Sequence, residues 1–379
     1  MSVPFIYGKM AETEDFTDRI EDCKRLVANL KGGISTILIS PRRWGKTSLV
    51  NKAMKEIATD SNYLTCQMDV FNCRTEQQFY QTLLNSVLKS TTSRVEEVLG
   101  AIKKYISAFG PKISIGDGPM SEMSIGIDFD DRQYSPDEIL DLAEKIATDK
   151  GKKLIVSIDE FQNIESFDDP IGFQRKLRSH WQLQRSVCYC LYGSKRHMLM
   201  DIFSNYEMPF YKFGDIMMLD KIALADWVPF IVKRFSDTGK EIDPSFASTI
   251  ATRVECHPYY VQQYAQAVWM LTGKTVEEPT LDIAIRQIID RSALLMSKIT
   301  DDLRPKQISF LVAIAKGERN LTGSATLKKY NLGTSANVKN LKKVVIDKDL
   351  VDENKDGMLE IQDPIFRMWL LENFDRSQF

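Results

Sequence analysis

Residues 36–49 read TILISPRRWGKTSL, an apolar run, a tight loop and then a helix opening on Gly45-Lys46-Thr47-Ser48. This arrangement dictates much of what the chain can become. A buried strand that turns at once into a helix is half of a βα unit, so it commits the chain to an α/β sheet. Gly45, Lys46 and Thr47 match the end of the phosphate-loop pattern G-x-x-x-x-G-K-[ST], with Ser40 at the place of the first glycine. Ser40, Pro41, Arg42, Arg43, Trp44 and Gly45 form the loop, and Lys46, Thr47 and Ser48 open the helix, expected over Thr47–Ile57. Backbone N–H groups at a helix start offer partial positive charge to an anion. Lys46 adds a full charge for the terminal phosphates, and the Thr47 hydroxyl is the expected Mg²⁺ ligand.

A second segment, LIVSIDE at 154–160, is apolar up to Asp159-Glu160. Buried parallel strands are near-continuously hydrophobic, and ligands sit beyond their carboxyl ends. An acidic pair at that place has the form of a Walker B motif. Asp159 is expected to hold the magnesium, and Glu160 to polarise the attacking water. The two motifs lie about one domain's worth of α/β units apart.

The rest of the composition excludes more than it selects. At 379 residues the chain should hold two or three domains, and 43% hydrophobic with 27% charged residues describes an ordinary globular protein. The net charge of −2 gives no global pull toward nucleic acid or membrane, so such contacts need a local patch. No apolar run is long enough to span a bilayer and the N-terminus has no signal-peptide pattern, so a cytoplasmic location is expected. The six cysteines (Cys23, Cys66, Cys73, Cys188, Cys190, Cys256) contain no C-x-x-C pair and read as buried thiols. The three histidines (His180, His197, His257) form no zinc pattern.

Along the chain, strands and helices alternate as far as residue 222. A helix is expected near Glu21–Asn29, strands at Ile34–Ser40, Tyr63–Val70 and Ser186–Tyr192, and helices at Glu76–Ser90, Pro136–Lys150 and Gln174–Gln184. Residues 111–130 read as an inserted β-hairpin, with Gly116, Gly118 and Pro119 between two alternating runs. Phe5, Tyr7 and Phe16 mark an N-terminal arm that packs on something. Helices follow at Ala225–Phe235, Asp243–Cys256, Pro258–Leu271 and Leu281–Lys298, the last after a break at Pro279. Then come Pro305–Lys316, Ser324–Tyr330 and Ser335–Lys348, a hairpin of Leu350–Glu353 with Met358–Gln362, and a closing helix Pro364–Phe374. Three helices and a hairpin are the order of a winged helix. The expected domains are 1–222 (a parallel sheet with helices on both faces, arm included), 223–300 (a helical lid) and 301–379 (a winged helix).

These motifs, in this order, resemble the prokaryotic archaeal-type ATPase family within the AAA+/STAND branch of P-loop NTPases. The likeness runs from PFIYG and EDFTDR through PRRWGKTSL at 41–49, LIVSIDEFQNI at 154–164 and YGSKRHMLMDIF at 192–203. It continues through PFYKFG at 209–214, ECHPYYVQQ at 255–263 and QDPIFRMWL at 362–370. The resemblance implies ATP as the nucleotide. It implies that Ser194 and Arg196 sense the γ-phosphate, their hydroxyl and guanidinium both donating to phosphate oxygens. It also implies that His257, before Pro258 and with Cys256 replacing a glycine, is a lid residue near the phosphates, and that Phe16 and Arg19 wrap the base. Lys212 stands where relatives often carry an arginine near a subunit boundary. Arg175 and Arg178 are alternative fingers acting in trans, in a possible homo-oligomer.

In the winged helix, Lys339, Lys342, Lys343 and Lys348 stripe the recognition position, preceded by Lys328 and Lys329. Such a stripe can neutralise DNA phosphates, or can simply be a solvated face. Asp352, Glu353 and Asp356 in the hairpin would repel phosphates, and only Asn337 and Asn340 offer base-reading groups. Non-specific DNA contact and protein docking both remain open. Two functions follow. One is an ATP-hydrolysing switch whose lid motion repositions the winged helix on DNA. The other is a STAND-like scaffold in which ATP or ADP controls self-association.

Overall fold

The structure is a computed structural model and describes residues 3–9, 19–92, 97, 100–101, 104–105, 113–115, 125–127, 136–354 and 357–374. The chain forms two compact units: Arg19–Asp220, and a second made of the described N-terminal residues with those from Lys221 onward.

The first unit runs α1 (Ile20–Lys31), β1 (Thr36–Ile39), α2 (Lys46–Ala58), β2 (Tyr63–Asp69), α3 (Glu76–Thr91), β3 (Ile113–Ile115), β4 (Ile125–Ile127), α4 (Pro136–Asp149) and β5 (Lys153–Asp159). After a 3₁₀ helix at Phe161–Ser166 come α5 (Pro170–Trp181), β6 (Val187–Gly193), α6 (Arg196–Ser204) and β7 (Asp215–Met218). Five strands form one sheet in the order β2-β5-β6-β1-β7, and every neighbouring pair is parallel. Strands β1 and β6 are buried almost throughout, as the unbroken apolar runs require. The expected hairpin exists as antiparallel pairing of β3 with β4; the residues between and around them lie outside the described residues.

Some boundaries differ from the sequence expectation, each for a local reason. Helix α5 begins at Pro170 rather than Gln174, because the Asp169 side chain accepts from Gly172 N–H at 2.9 Å and proline occupies the first turn. Pro279 likewise starts the last lid helix instead of breaking it, since a missing N–H is harmless there. Helix α6 and the short edge strand β7 were not anticipated.

The second unit contains α7 (Leu224–Asp237), α8 (Pro244–Arg253), α9 (Pro258–Leu271), α10 (Glu278–Asp301), α11 (Pro305–Ala315), α12 (Ser324–Lys329), α13 (Ser335–Asp347), β8 (Val351–Glu353), β9 (Leu359–Ile361) and α14 (Pro364–Phe374). Strands β8 and β9 pair antiparallel as the wing. One apolar core runs from Trp227 and Tyr264 in the lid helices to Phe310 and Leu370 in the winged helix. Polar ties cross the same junction. Arg367, which also donates to the Ala315 carbonyl inside the winged helix at 2.9 Å, donates to Glu255 of the lid at 3.3 Å, Arg286 pairs with Glu372 at 2.9 Å, and the Tyr260 hydroxyl bonds Asp363. The lid and the winged helix therefore share an interior.

Phe5 belongs to that interior, not to the α/β unit where the sequence reading put the arm. It is 1% exposed, its ring lies 5.6 Å from Phe235 and 6.4 Å from Phe230, and Gln266 donates to its carbonyl at 2.8 Å. Tyr7 packs edge-on against Tyr259. All six cysteines are free thiols, five of them buried. Among the described residues no helix is long and apolar enough to cross a membrane.

Phe5→Ala should cost the second unit about 3–5 kcal/mol, as for other buried phenylalanines. A chemical-denaturation midpoint at the parent value would mean that Phe5 contributes no core packing.

Candidate functional site

Strand β6 lies between β1 and β5, so the chain turns off three neighbouring parallel strands at one edge of the sheet. The turn after β1 is the phosphate loop. Gly45 has φ 85° at the cap of α2, and Arg43 also lies in the left-handed region at φ 64°. Gly45 takes that conformation without strain. Ser40 is fully buried and its hydroxyl donates to the Pro41 carbonyl at 3.2 Å, closing the turn where the usual pattern has glycine. Arg42 and Arg43 are exposed, Trp44 is half-buried and Ser48 is buried.

Arg19 braces the loop from outside. It is 5% exposed, donates to the Trp44 carbonyl at 3.2 Å and pairs with Asp22 at 3.1 Å. Phe16, named with Arg19 in the sequence reading, lies outside the described residues.

The turn after β5 brings the acids. The Thr47 hydroxyl donates to Asp159 Oδ2 at 3.2 Å, which joins the two motifs across the sheet. Burial pushes the Asp159 carboxyl up to about 6, with Lys46 pulling it back. Burial also lowers the Lys46 ammonium, against the opposing pull of Asp159 and Glu160. A hydroxyl beside a carboxylate is a hard-oxygen donor set of the kind magnesium takes. A buried ammonium at a helix N-terminus suits phosphate. The residues present thus fit a magnesium–nucleotide ligand. Asp69, at the end of β2, pairs in register with Asp159 and adds a further carboxylate.

Glu160 has φ 52°, and its N–H donates to Asp159 Oδ1 at 2.8 Å. Its Oε2 accepts from three donors: the Ser194 N–H at 3.3 Å, the Ser194 hydroxyl at 3.1 Å and the Gln162 amide. The structure therefore brings together Lys46, Thr47, Asp159, Glu160 and Ser194. Arg196 is the first residue of α6, two positions beyond Ser194. Gln162 was not singled out in the sequence, although it lies inside the DEFQNI segment.

Other residues of the reading fall elsewhere. The Arg178 guanidinium lies 5.0 Å from the Phe213 ring centroid, Arg175 is exposed, and Lys212 sits over Tyr211 with φ 54°. In the second unit, His257 is 4% exposed and caps α9. Glu255 and Cys256 before it both have φ 55°. That conformation explains why glycine suits the position Cys256 occupies, and consecutive strained residues are typical of functional turns. Glu255 is held by Lys221 at 3.4 Å and by Arg367. On the winged helix, Lys328, Lys339 and Lys343 are exposed. Lys342 is tied to Glu353 of the wing at 3.0 Å, and Lys329 to Glu318 at 2.6 Å.

Residues 295–372 match the family described as "Probable winged helix domain". Over the whole chain, the structure is similar to a Walker-type ATPase of Pyrococcus abyssi, with a TM-score of 0.69 at 17% identity, covering 97% of this chain and 99% of that one. The fold is that of a Walker-type ATPase with a C-terminal winged helix. The Aeropyrum pernix ORC2 protein shares this Walker-type ATPase fold. Its ADPNP–ADP complexes give a TM-score of 0.56 at 14% identity over 95% of this chain and 94% of that one. Its ADP form gives 0.53 at 13% identity over 99% and 97%. No match was found among curated proteins.

Asp159 gives a pH signature. Its folded pKa lies above the unfolded one, so its contribution to stability is complete below about pH 4. That contribution is lost as pH rises through about 6. Ligand-free protein should lose denaturation midpoint across that window, and Asp159→Asn should flatten the loss. Identical pH profiles for the two proteins would remove the assignment.

Proposed function

We propose that this chain is an ATP-binding and ATP-hydrolysing molecular switch whose nucleotide state repositions the winged helix on DNA. The observation that carries the reading is the Thr47–Asp159 hydrogen bond beside buried Lys46 and next to Glu160. It joins a phosphate loop to an acidic strand end on the Walker-type fold.

In this reading the loop N–H groups and Lys46 bind the β- and γ-phosphates. Thr47 and Asp159 would hold magnesium, which supplies positive charge to the phosphate oxygens when bound. Glu160 takes a proton from water as its oxygen attacks the γ-phosphorus in line with the departing ADP oxygen. Ser194 and Arg196 donate to the γ-phosphate and stabilise the charge that spreads over it. Nothing becomes covalently attached to the protein, so catalysis rests on position and preorganised charge. The core shared by the lid and the winged helix would carry lid movement to the winged helix. Arg175, Arg178 or Lys212 would act on a neighbouring copy in a homo-oligomer.

DNA is the favoured target because Lys328, Lys339 and Lys343 are exposed on the winged helix. With about three phosphate contacts, the affinity should fall with a log–log salt slope near −3. One observation favours the alternative scaffold function, in which the winged helix docks a protein. Two of the five candidate lysines, Lys342 and Lys329, are already engaged by carboxylates.

Lys46→Ala should abolish ATP binding. Glu160→Gln should keep binding and lose turnover by at least about a hundredfold. Parent-rate hydrolysis by the glutamine variant would remove Glu160 from the role of base. For the winged helix, gel shifts with non-specific duplex should weaken steeply with salt and disappear in the Lys339→Glu/Lys343→Glu variant. No shift at low salt would favour the protein-docking function.

A further inference from the structure

Gln162 is the least expected polar residue of the site. It is 1% exposed, in the first turn of the 3₁₀ helix. Its Nε2 donates to Glu160 Oε2, and its Oε1 has no hydrogen-bond partner among the described residues. A buried amide with an empty acceptor is costly, and such exceptions call for an explanation. The amide cannot simply turn over, because that would set Oε1 against the Glu160 carboxylate.

The surroundings are shaped to keep it in this orientation. A Cβ on Gly193 would fall 1.8 Å from Gln162 Oε1 and 2.9 Å from its Cδ, so the absence of a side chain at the end of β6 makes the slot. The helix itself is fixed. Asn163 donates to the Val70 carbonyl at 3.3 Å and to the Phe71 carbonyl at 3.0 Å, and its N–H donates to the Glu160 carbonyl at 2.9 Å. Among the described residues the hydrogen bond of this walled-in amide goes to Glu160.

The geometry points to Gln162 as a positioning residue that fixes the Glu160 carboxylate while the other oxygen serves the water. This rests on the reading of Glu160 as the base. Ser194 supplies the other two donors to Oε2. When the Ser194 hydroxyl turns to a γ-phosphate, its share of the hold on Glu160 is lost. Gln162 faces no such competition, because its amide is buried and walled in by the end of β6. It keeps Oε2 occupied through the attack, so the lone pairs used on water belong to Oε1 and keep one direction. The three nearest atoms that a side chain at Gly193 would meet all belong to Gln162.

The test uses the full chain and measures kcat, ATP affinity and melting temperature for Gln162→Ala, Gly193→Ala, their combination and Glu160→Gln. Gln162→Ala should lower kcat by about tenfold or more at unchanged ATP affinity, as expected for a misaligned reacting group. Gly193→Ala displaces the amide without removing it and should lower kcat similarly. In the double variant the new Cβ meets no amide, so kcat should equal that of Gln162→Ala alone. A merely structural glutamine would move the melting temperature and leave kcat alone. A folded Gln162→Ala protein with parent kcat, or multiplicative losses in the double variant, overturns the proposal. If Gln162→Ala fails to fold, Gly193→Ala decides: parent kcat overturns the proposal and a selective kcat loss supports it. Parent-rate turnover by Glu160→Gln instead overturns the reading of the base, and is seen in a separate variant.

Discussion

The parallel ladder that places β6 between β1 and β5 governs the rest of the molecule. Neighbouring strands lie about 4.8 Å apart, so three chain reversals at one edge are held within side-chain reach. One reversal presents main-chain N–H groups and Lys46, another presents Asp159 and Glu160, and the middle one presents Ser194. The three reversals are far from one another in sequence. Their meeting is a property of strand order, and the Thr47–Asp159 hydrogen bond is its direct expression.

Charge follows from that geometry. One buried ammonium faces two carboxylates, with a third at Asp69 in register beside them. Burial works against both signs: it lowers Lys46 and raises Asp159. Such a set is poised for a ligand that brings its own anion and cation together. The fold supports the unfavourable arrangement with a deep apolar interior beneath the edge, where Ile37, Val156 and Leu191 are completely buried.

Local chemistry explains which parts were readable from the sequence. The phosphate loop, the acidic strand end and the winged-helix order announce themselves because each depends on a few adjacent residues: a left-handed Gly45, an apolar run ending in acids, a proline at a helix start. Strand β7 is only four residues long, too short for a periodic signal to stand out. Phe5 belongs to helices more than two hundred residues away in sequence, by way of Phe230 and Phe235. Gln162 depends on the missing side chain of Gly193. The lysine stripe on α13 was visible, but the capture of Lys342 by Glu353 was not, because cross-element ion pairs leave no periodic trace. The left-handed turn at Glu255-Cys256 was half readable: the departure from glycine could be seen, while the conformation that makes it matter could not.

The common interior of lid and winged helix bears on how such a protein can be cut or recombined. A stop between α10 and α11 would not yield a shortened protein lacking only its far end. It would lay bare an oily surface that Phe310, Ile365 and Leu370 normally cover, and the fragment would clump. Grafting a foreign winged helix would face the same restriction, since a replacement must reproduce the inner side of α14 and the reach of Arg367. New partners are therefore more easily acquired by repainting the outward side of α13 than by exchanging the module.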